Sequence, residues 1–142
     1  DFSDPELPVV GAASQEVLNH QAHITILHSL DILPLALAPG VTMGADIDPV
    51  SPELMQELQE DAEAQLVTMM ATYGLDGDRV VAQGPAVGAI LDTAERINAD
   101  LIIVGTVGRT GLKRMLLGSV AEAVVRSALC SVLVVRLHRP TD

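Results

Sequence analysis

The chain has 142 residues, which suits one domain with a sizeable core, and we expect residues 1–142 to form a single domain. Hydrophobic residues make up 49% of the chain and aromatic residues only 1%, so the core must consist of aliphatic side chains. The net charge of −11 argues against a protein that wraps nucleic acid, and no apolar run approaches the roughly 18 residues that span a membrane.

The first half of the sequence predicts a helix, a strand, a long loop and a second helix. Their approximate bounds are residues 4 or 5 to 20, 23–30, 31–50 and 51–73. Pro8 is tolerated only in the first turn of its helix. Ser51 and Pro52 offer an N-cap and a first helical residue for the second helix, and we expect Gly74 and Gly77 to stop it.

The second half alternates between short strands and helices. We predict strands at residues 79–82, 101–104 and 132–135, and helices at residues 84–97 and after Gly118 to Ala128. The last two strands are apolar on both faces, which is typical of a parallel sheet covered by helices on both sides. The alternation predicts a doubly wound α/β domain.

The beginning of the chain does not fit that pattern, because a doubly wound domain normally opens with a strand. Here the chain opens on a helix start. Either a first strand precedes Asp1, or the sheet is one strand short. We favour the first interpretation, since a missing central strand would leave buried backbone groups unpaired.

A glycine-rich loop follows the strand at residues 101–104. Its skeleton is Gly105, two residues, Gly108, nine residues, and then Gly118 and Ser119. Open α/β folds bind ligands where their strands end, and glycine permits close approach of the backbone or a positive φ. The amphipathic helix after Gly118 offers free N–H groups to a phosphate, and Ser119 could cap that helix and bond a phosphate oxygen.

Charge points to the same loop. Residues 1–78 contain 14 Asp or Glu and no Lys or Arg, which is the pattern of a solvated acidic face, whereas residues 79–142 carry all 8 basic residues. Arg109, Lys113 and Arg114 lie between the glycines and indicate a polyanionic ligand. The alternative is a loop stabilised by glycines that binds nothing. The loop lacks the Walker A pattern, no G-x-G-x-x-G follows a strand, and no base–nucleophile pair is visible.

With these features the chain resembles the universal stress protein family over nearly its whole length. The segments DFSDPE and HITILHSLD, and the stretch from QGPAVGAILDT to SVLVVR, carry the resemblance. The G-2x-G-9x-G-S pattern is similar to the ATP-binding signature of that family. The resemblance implies a five-stranded parallel sheet of order 3-2-1-4-5, with the nucleotide between strands 1 and 4 and the first strand missing before Asp1.

The resemblance also implies roles for individual residues. Asp1 and the backbone of Ser29 would lie near adenine, although the family more often has an aliphatic residue where Ser29 stands. The residues lining ribose and phosphate would be Gly105, Thr106, Val107 and Gly108. The phosphates would be held by Gly118, Ser119 and Val120, with Arg109 nearby and with Mg²⁺ or Mn²⁺ accompanying ATP, AMP or ADP.

The last predicted strand indicates where another chain could bind. Its apolar run comprises Val132, Leu133, Val134 and Val135. A smooth apolar sheet edge invites pairing with another chain, and the family commonly dimerises there, so we expect a homodimer. The alternative is that a loop or the C-terminal tail covers the edge.

The function implied is that of an ATP-binding regulatory protein in the stress response, with slow or no ATP hydrolysis. The alternatives are a slow ATPase or autophosphorylating protein, a protein that binds AMP or cAMP, and a nucleotide-free dimeric interaction module. Cys130 is the single cysteine and no secretory signal is visible, so we expect a cytoplasmic protein that contacts neither nucleic acid nor membrane.

Overall fold

The computed structural model describes residues 8–32, 51–106 and 117–136. Within these ranges, helices and strands alternate along the chain. The helices are α1 Pro8–His20, α2 Pro52–Tyr73, α3 Ala86–Arg96 and α4 Ser119–Ser127. The strands are β1 Ile24–Leu30, β2 Gly77–Gln83, β3 Leu101–Gly105 and β4 Ser131–Val135. The predicted loop at residues 31–50 lies outside the described residues from residue 33 onwards. None of the described helices is both long and apolar enough to cross a membrane.

The ends of α2 confirm the prediction from its flanking residues. The Ser51 hydroxyl accepts a hydrogen bond of 3.2 Å from the amide of Leu54, and Pro52 is the first helical residue. Gly74 ends the helix in the left-handed conformation, with φ of 61°. The second predicted stop is wrong, because Gly77 begins β2. A side chain on Gly77 would overlap the carbonyl oxygen of Ile24, so glycine here permits close pairing of two strands.

The described strands are parallel, as their composition predicts. β1 pairs with β2, from Ile24 opposite Gly77 to Leu30 opposite Gln83. β3 pairs with β4, from Leu101 opposite Ser131 to Gly105 opposite Val135. Within the described residues these pairs form two separate two-stranded sheets.

Helices connect the two sheets. α1 packs on β3 and β4 and also contacts α2, which covers β1 and β2. α3 packs on β1 and contacts α4, which lies against β4. The result is an α/β arrangement of parallel strands and helices, and open folds of this kind generally bind ligands at the carboxyl ends of their strands.

The core is aliphatic, as the composition requires. The buried hydrophobic residues among those described are Val10, Ile24, Ala62, Leu66, Met70, Ala89, Ile102, Ala121 and Val124. Ile97, the last residue of the helix that we predict at residues 84–97, is 43% exposed. The helix ends one residue earlier, at Arg96, so Ile97 no longer follows the helical periodicity.

Candidate functional site

The site predicted at the glycine-rich loop begins where β3 ends. The amide of Thr106 donates a hydrogen bond of 2.9 Å to the carbonyl oxygen of Val135, which extends the pairing with β4 by one residue. The carbonyl oxygen of Thr106 then accepts a hydrogen bond of 2.7 Å from the amide of Gly118. The residue after β3 and the residue before α4 are therefore held together by their backbones.

The N-terminus of α4 presents unbonded amides beside this junction. The first hydrogen bond of the helix runs from the amide of Glu122 to the carbonyl oxygen of Gly118, at 2.9 Å. The amides of Ser119, Val120 and Ala121 precede it and so have no acceptor within the helix. Such amides, together with the positive end of the helix dipole, favour an anion such as phosphate. Ser119 and Val120 are exposed, whereas the Ala121 side chain is buried.

The structure corrects two details of the sequence prediction. Gly118, rather than Ser119, is the N-cap, and Ser119 is the first helical residue, so its hydroxyl does not cap the helix. Gly118 has φ of −62°, which any residue adopts, so a positive φ is not the reason for glycine there. Because the Gly118 amide is already bonded to Thr106, what glycine contributes to the site is the absence of a side chain.

The Ala121 amide is one of these free amides, although the sequence prediction does not include Ala121. A cap at Ser119 would also leave the Ala121 amide without an acceptor, because the first four amides of any α-helix lack one. The sequence therefore already contains the signal, which is a capping residue at the start of the helix after Gly118.

One acidic side chain stands in the first turn of α4. The carboxylate of Glu122 would oppose an anion at this end of the helix. It forms an ion pair of 2.7 Å with the guanidinium of Arg126, one turn further along. This pairing partly offsets its charge at the helix N-terminus.

The structure thus brings together Gly105, Thr106, Gly118, Ser119 and Val120 at one edge of the β3–β4 sheet. Ser29 lies in the other sheet, next to the last residue of β1 and opposite Ala82. No strand pairing joins the two sheets within the described ranges. The remaining predicted site residues lie outside the described residues; they are Asp1, Val107, Gly108 and Arg109.

Two histidines of the described segments contact carboxylates. The Nε2 atom of His23 lies 2.8 Å from the Asp78 carboxylate, and that of His20 lies 3.6 Å from Glu16. Within residues 8–32, 51–106 and 117–136, no group of three His, Cys, Asp or Glu side chains is arranged to hold a metal ion.

Comparison with known proteins agrees with this architecture. The model of the universal stress protein family matches residues 1–136. A relative, universal stress protein MJ0531 of Methanocaldococcus jannaschii, is 33% identical over 96% of this chain and 78% of its own length. The crystal structure of UspA from Lactobacillus plantarum superposes with a TM-score of 0.75 at 25% identity, covering 96% of this chain and 92% of that one. A universal stress protein solved in complex with cAMP has a TM-score of 0.59 at 25% identity, covering 96% and 90% of the two chains.

Proposed function

The chain belongs to the universal stress protein family, and on that basis we propose that it is a regulatory protein that binds ATP at the junction of β3 and α4. The observation that carries this proposal is the hydrogen bond between Gly118 and Thr106. It places the free amides of α4 directly beside the carboxyl end of β3, where α/β folds hold nucleotides. The nucleotide state would alter the partners of the protein rather than drive rapid chemistry.

Each part of the junction has a role in this proposal. The amides of Ser119 and Val120 donate to phosphate oxygens, the Ser119 hydroxyl adds a further donor, and the bare backbone of Gly118 lets the phosphates approach. Gly105, Thr106, Val107 and Gly108 line the ribose and the first phosphate, with Arg109 supplying positive charge. Asp1 and Ser29 lie towards the adenine.

A divalent cation would accompany ATP with little help from acidic ligands. The described part of the chain offers no cluster of three metal-binding side chains. Mg²⁺ is commonly held by substrate phosphates, a few protein oxygens and water. Here the Ser119 hydroxyl is the oxygen that the chain would contribute, and it fits Mg²⁺ or Mn²⁺ equally.

A cyclic nucleotide is the second candidate, because one structurally similar universal stress protein was solved with cAMP. Three amides without an acceptor in the helix favour a ligand with several phosphate oxygens over a single cyclic phosphate. Titration calorimetry with ATP, AMP and cAMP, each with Mg²⁺, separates the candidates. We expect ATP to bind most tightly, and preferential binding of cAMP would replace this assignment.

Slow hydrolysis or autophosphorylation is a separate question from binding. The hydroxyls of Ser119 and Thr106 lie at the junction. A hydroxyl needs a base in order to act as a nucleophile, and no base–nucleophile pair is visible in the sequence. We therefore propose that turnover is slow or absent. Phosphate release measured for the parent and for a Gly118 variant that does not bind ATP would reveal any turnover that belongs to this site.

We further propose that residues 1–142 form one domain, and that its sheet has a fifth strand between β1 and β3. When this central strand is counted as the first, and β1 to β4 as the second to the fifth, the strand order is 3-2-1-4-5. Two features support this: β1 and β3 each pair on one side only within the described ranges, and α1 and α3 hold the two sheets together. Nuclear Overhauser contacts from both strands to one common strand would agree with the order. Direct contacts between β1 and β3 would contradict it.

A homodimer through β4 is part of the proposal. Within the described residues β4 pairs only with β3, and Leu133 on this strand is 38% exposed. Leu129, just before the strand, is 90% exposed. An apolar open edge of this kind would be covered in a symmetric pair of chains.

A further inference from the structure

A groove separate from the nucleotide site lies between α2 and β2. It consists of two adjoining cavities of about 470 and 250 Å³, which share Glu63 as a lining residue. Arg79, Val81 and Gln83 of β2 line it, and as alternate residues they belong to one face of the strand. The helix contributes a stripe spaced by four residues, which comprises Met55, Gln59, Glu63 and Val67.

The groove opens beside an unpaired strand edge. β2 pairs with β1 alone within the described residues, and no residue of β1 lines the groove. The backbone of such an edge offers N–H and C=O groups to an added strand. From Arg79 to Gln83 the edge spans about 13 Å, at roughly 3.3 Å for each residue, which suits a short extended segment.

The side of the groove that α2 forms carries two carboxylates, and hydrogen bonds fix their orientation. The side-chain amide of Gln56 donates to Glu60 at 2.8 Å, and that of Gln59 donates to Glu63 at 3.2 Å. All four side chains line the groove, and both glutamates are exposed. The amides orient the carboxylates without neutralising them. α2 contains five acidic residues and no Lys or Arg, so its surface favours a cationic partner.

The other end of the groove is less polar. Val67 is 47% exposed and faces the groove with Val81. Arg79 also lines this end and makes no ion pair with any described carboxylate. A second cation would be repelled there, whereas an aliphatic side chain would cover the two valines.

We propose that this groove binds an extended, basic segment of a partner protein, which adds to β2 as a further strand. A Lys or Arg of the segment contacts Glu60 and Glu63. The residue two positions along the segment is aliphatic and rests on Val67 and Val81. This site does not depend on the nucleotide site, because none of its lining residues is assigned to the nucleotide.

The test uses the full chain and a blocked peptide, Thr-Lys-Thr-Val-Thr, with Thr-Glu-Thr-Val-Thr as its charge-reversed control. We expect the lysine peptide to bind and the glutamate peptide not to bind. The lysine peptide should slow hydrogen exchange of those β2 amides that point away from β1. The double variant Glu60→Gln with Glu63→Gln should weaken binding by roughly three- to tenfold. The matched variant Glu57→Gln with Asp61→Asn removes the same charge from α2 outside the groove, and it should weaken binding by less than about twofold.

Four results would overturn the proposal. The glutamate peptide could bind as tightly as the lysine peptide, or both double variants could lose affinity equally. The β2 amides that point away from β1 could already be protected in the free protein at every concentration, which would mean that another part of the same chain covers the edge. Protection could instead rise with protein concentration in the absence of peptide, which would identify a second copy as the occupant.

Discussion

The amide of Gly118 donates a 2.7 Å hydrogen bond to the carbonyl oxygen of Thr106. Because of this bond, Thr106 and Gly118 lie next to each other in the fold. The amide of Thr106 is in turn bonded to Val135, so the junction is attached to β4. The free amides of α4 therefore have a defined position beside the carboxyl end of β3. The proposed nucleotide site is built mainly from backbone groups, and this guides the choice of variants.

Replacement of Ser119 by Ala removes the hydroxyl that we assign to a phosphate oxygen. Loss of one charge-assisted hydrogen bond should cost about 1.5–3 kcal/mol, or roughly ten- to hundredfold in ATP affinity. Stability should be nearly unchanged, because Gly118 and not Ser119 is the N-cap. Calorimetric titration with ATP and Mg²⁺ measures the effect. Ser127→Ala, at the other end of α4, is the control, and equal affinities for the two variants would remove Ser119 from the site.

Replacement of Gly77 by Ala should destabilise the fold by about 1–3 kcal/mol, as expected for forced overpacking. The new methyl group would overlap the carbonyl oxygen of Ile24, so the β1–β2 pairing would have to shift. Urea unfolding measures the free energy. Gly88→Ala in α3 meets no atom within 4 Å and should stabilise by up to about 1 kcal/mol through helix propensity. A Gly77→Ala variant as stable as the parent would contradict the close pairing.

Replacement of Ser51 by Ala removes the side-chain cap of α2. The hydroxyl of Ser51 accepts from the amide of Leu54, and an alanine cannot. We expect a loss of about 1 kcal/mol in the free energy of unfolding, recovered by Ser51→Asp, which restores an acceptor and suits the helix dipole. Equal stability of the alanine and aspartate variants would show that the cap contributes nothing.

Replacement of Leu133 by Lys places a charge on the open edge of β4. If two chains pair there, burying unpaired lysines should shift the protein towards monomer, with a dimer dissociation constant raised at least about tenfold. Light scattering after gel filtration, over a range of concentrations, measures the mass. Leu18→Lys is the control, because Leu18 is 82% exposed and belongs to α1 rather than to β4. A dimer that survives Leu133→Lys unchanged must use another surface.

Local signals in the sequence predict much of the fold. Ser51, Pro52 and Gly74 define α2 because each acts through its own backbone conformation or hydrogen bond within a few residues. The apolar runs within β3 and β4 predict parallel strands, which the structure confirms. Gly77 misled the prediction because its role depends on Ile24, which lies far away in the sequence and is brought opposite only by the register of β1 and β2.

The candidate site is predictable in outline but not in its bonding. The spacing of Gly105 and Gly118 indicates a loop between a strand and a helix. It does not reveal that the Gly118 amide is bonded to Thr106, because that bond depends on the relative positions of β3 and α4 in the fold. The groove beside β2 is not predictable from local patterns for the same reason. It requires the packing of α2 against alternate residues of a strand that follows it.

The most direct test of the proposed function is a calorimetric titration of the purified protein and its Gly118→Ala variant with ATP and Mg²⁺. Alanine fits φ of −62° and ψ of 153°, so the variant should lose no more than about 1 kcal/mol of stability, through weaker capping. Its methyl group should obstruct the phosphates. We predict that the parent binds ATP and that the folded variant binds at least about tenfold more weakly. Equal affinity for ATP, or no uptake of nucleotide by the parent, would contradict the proposed site.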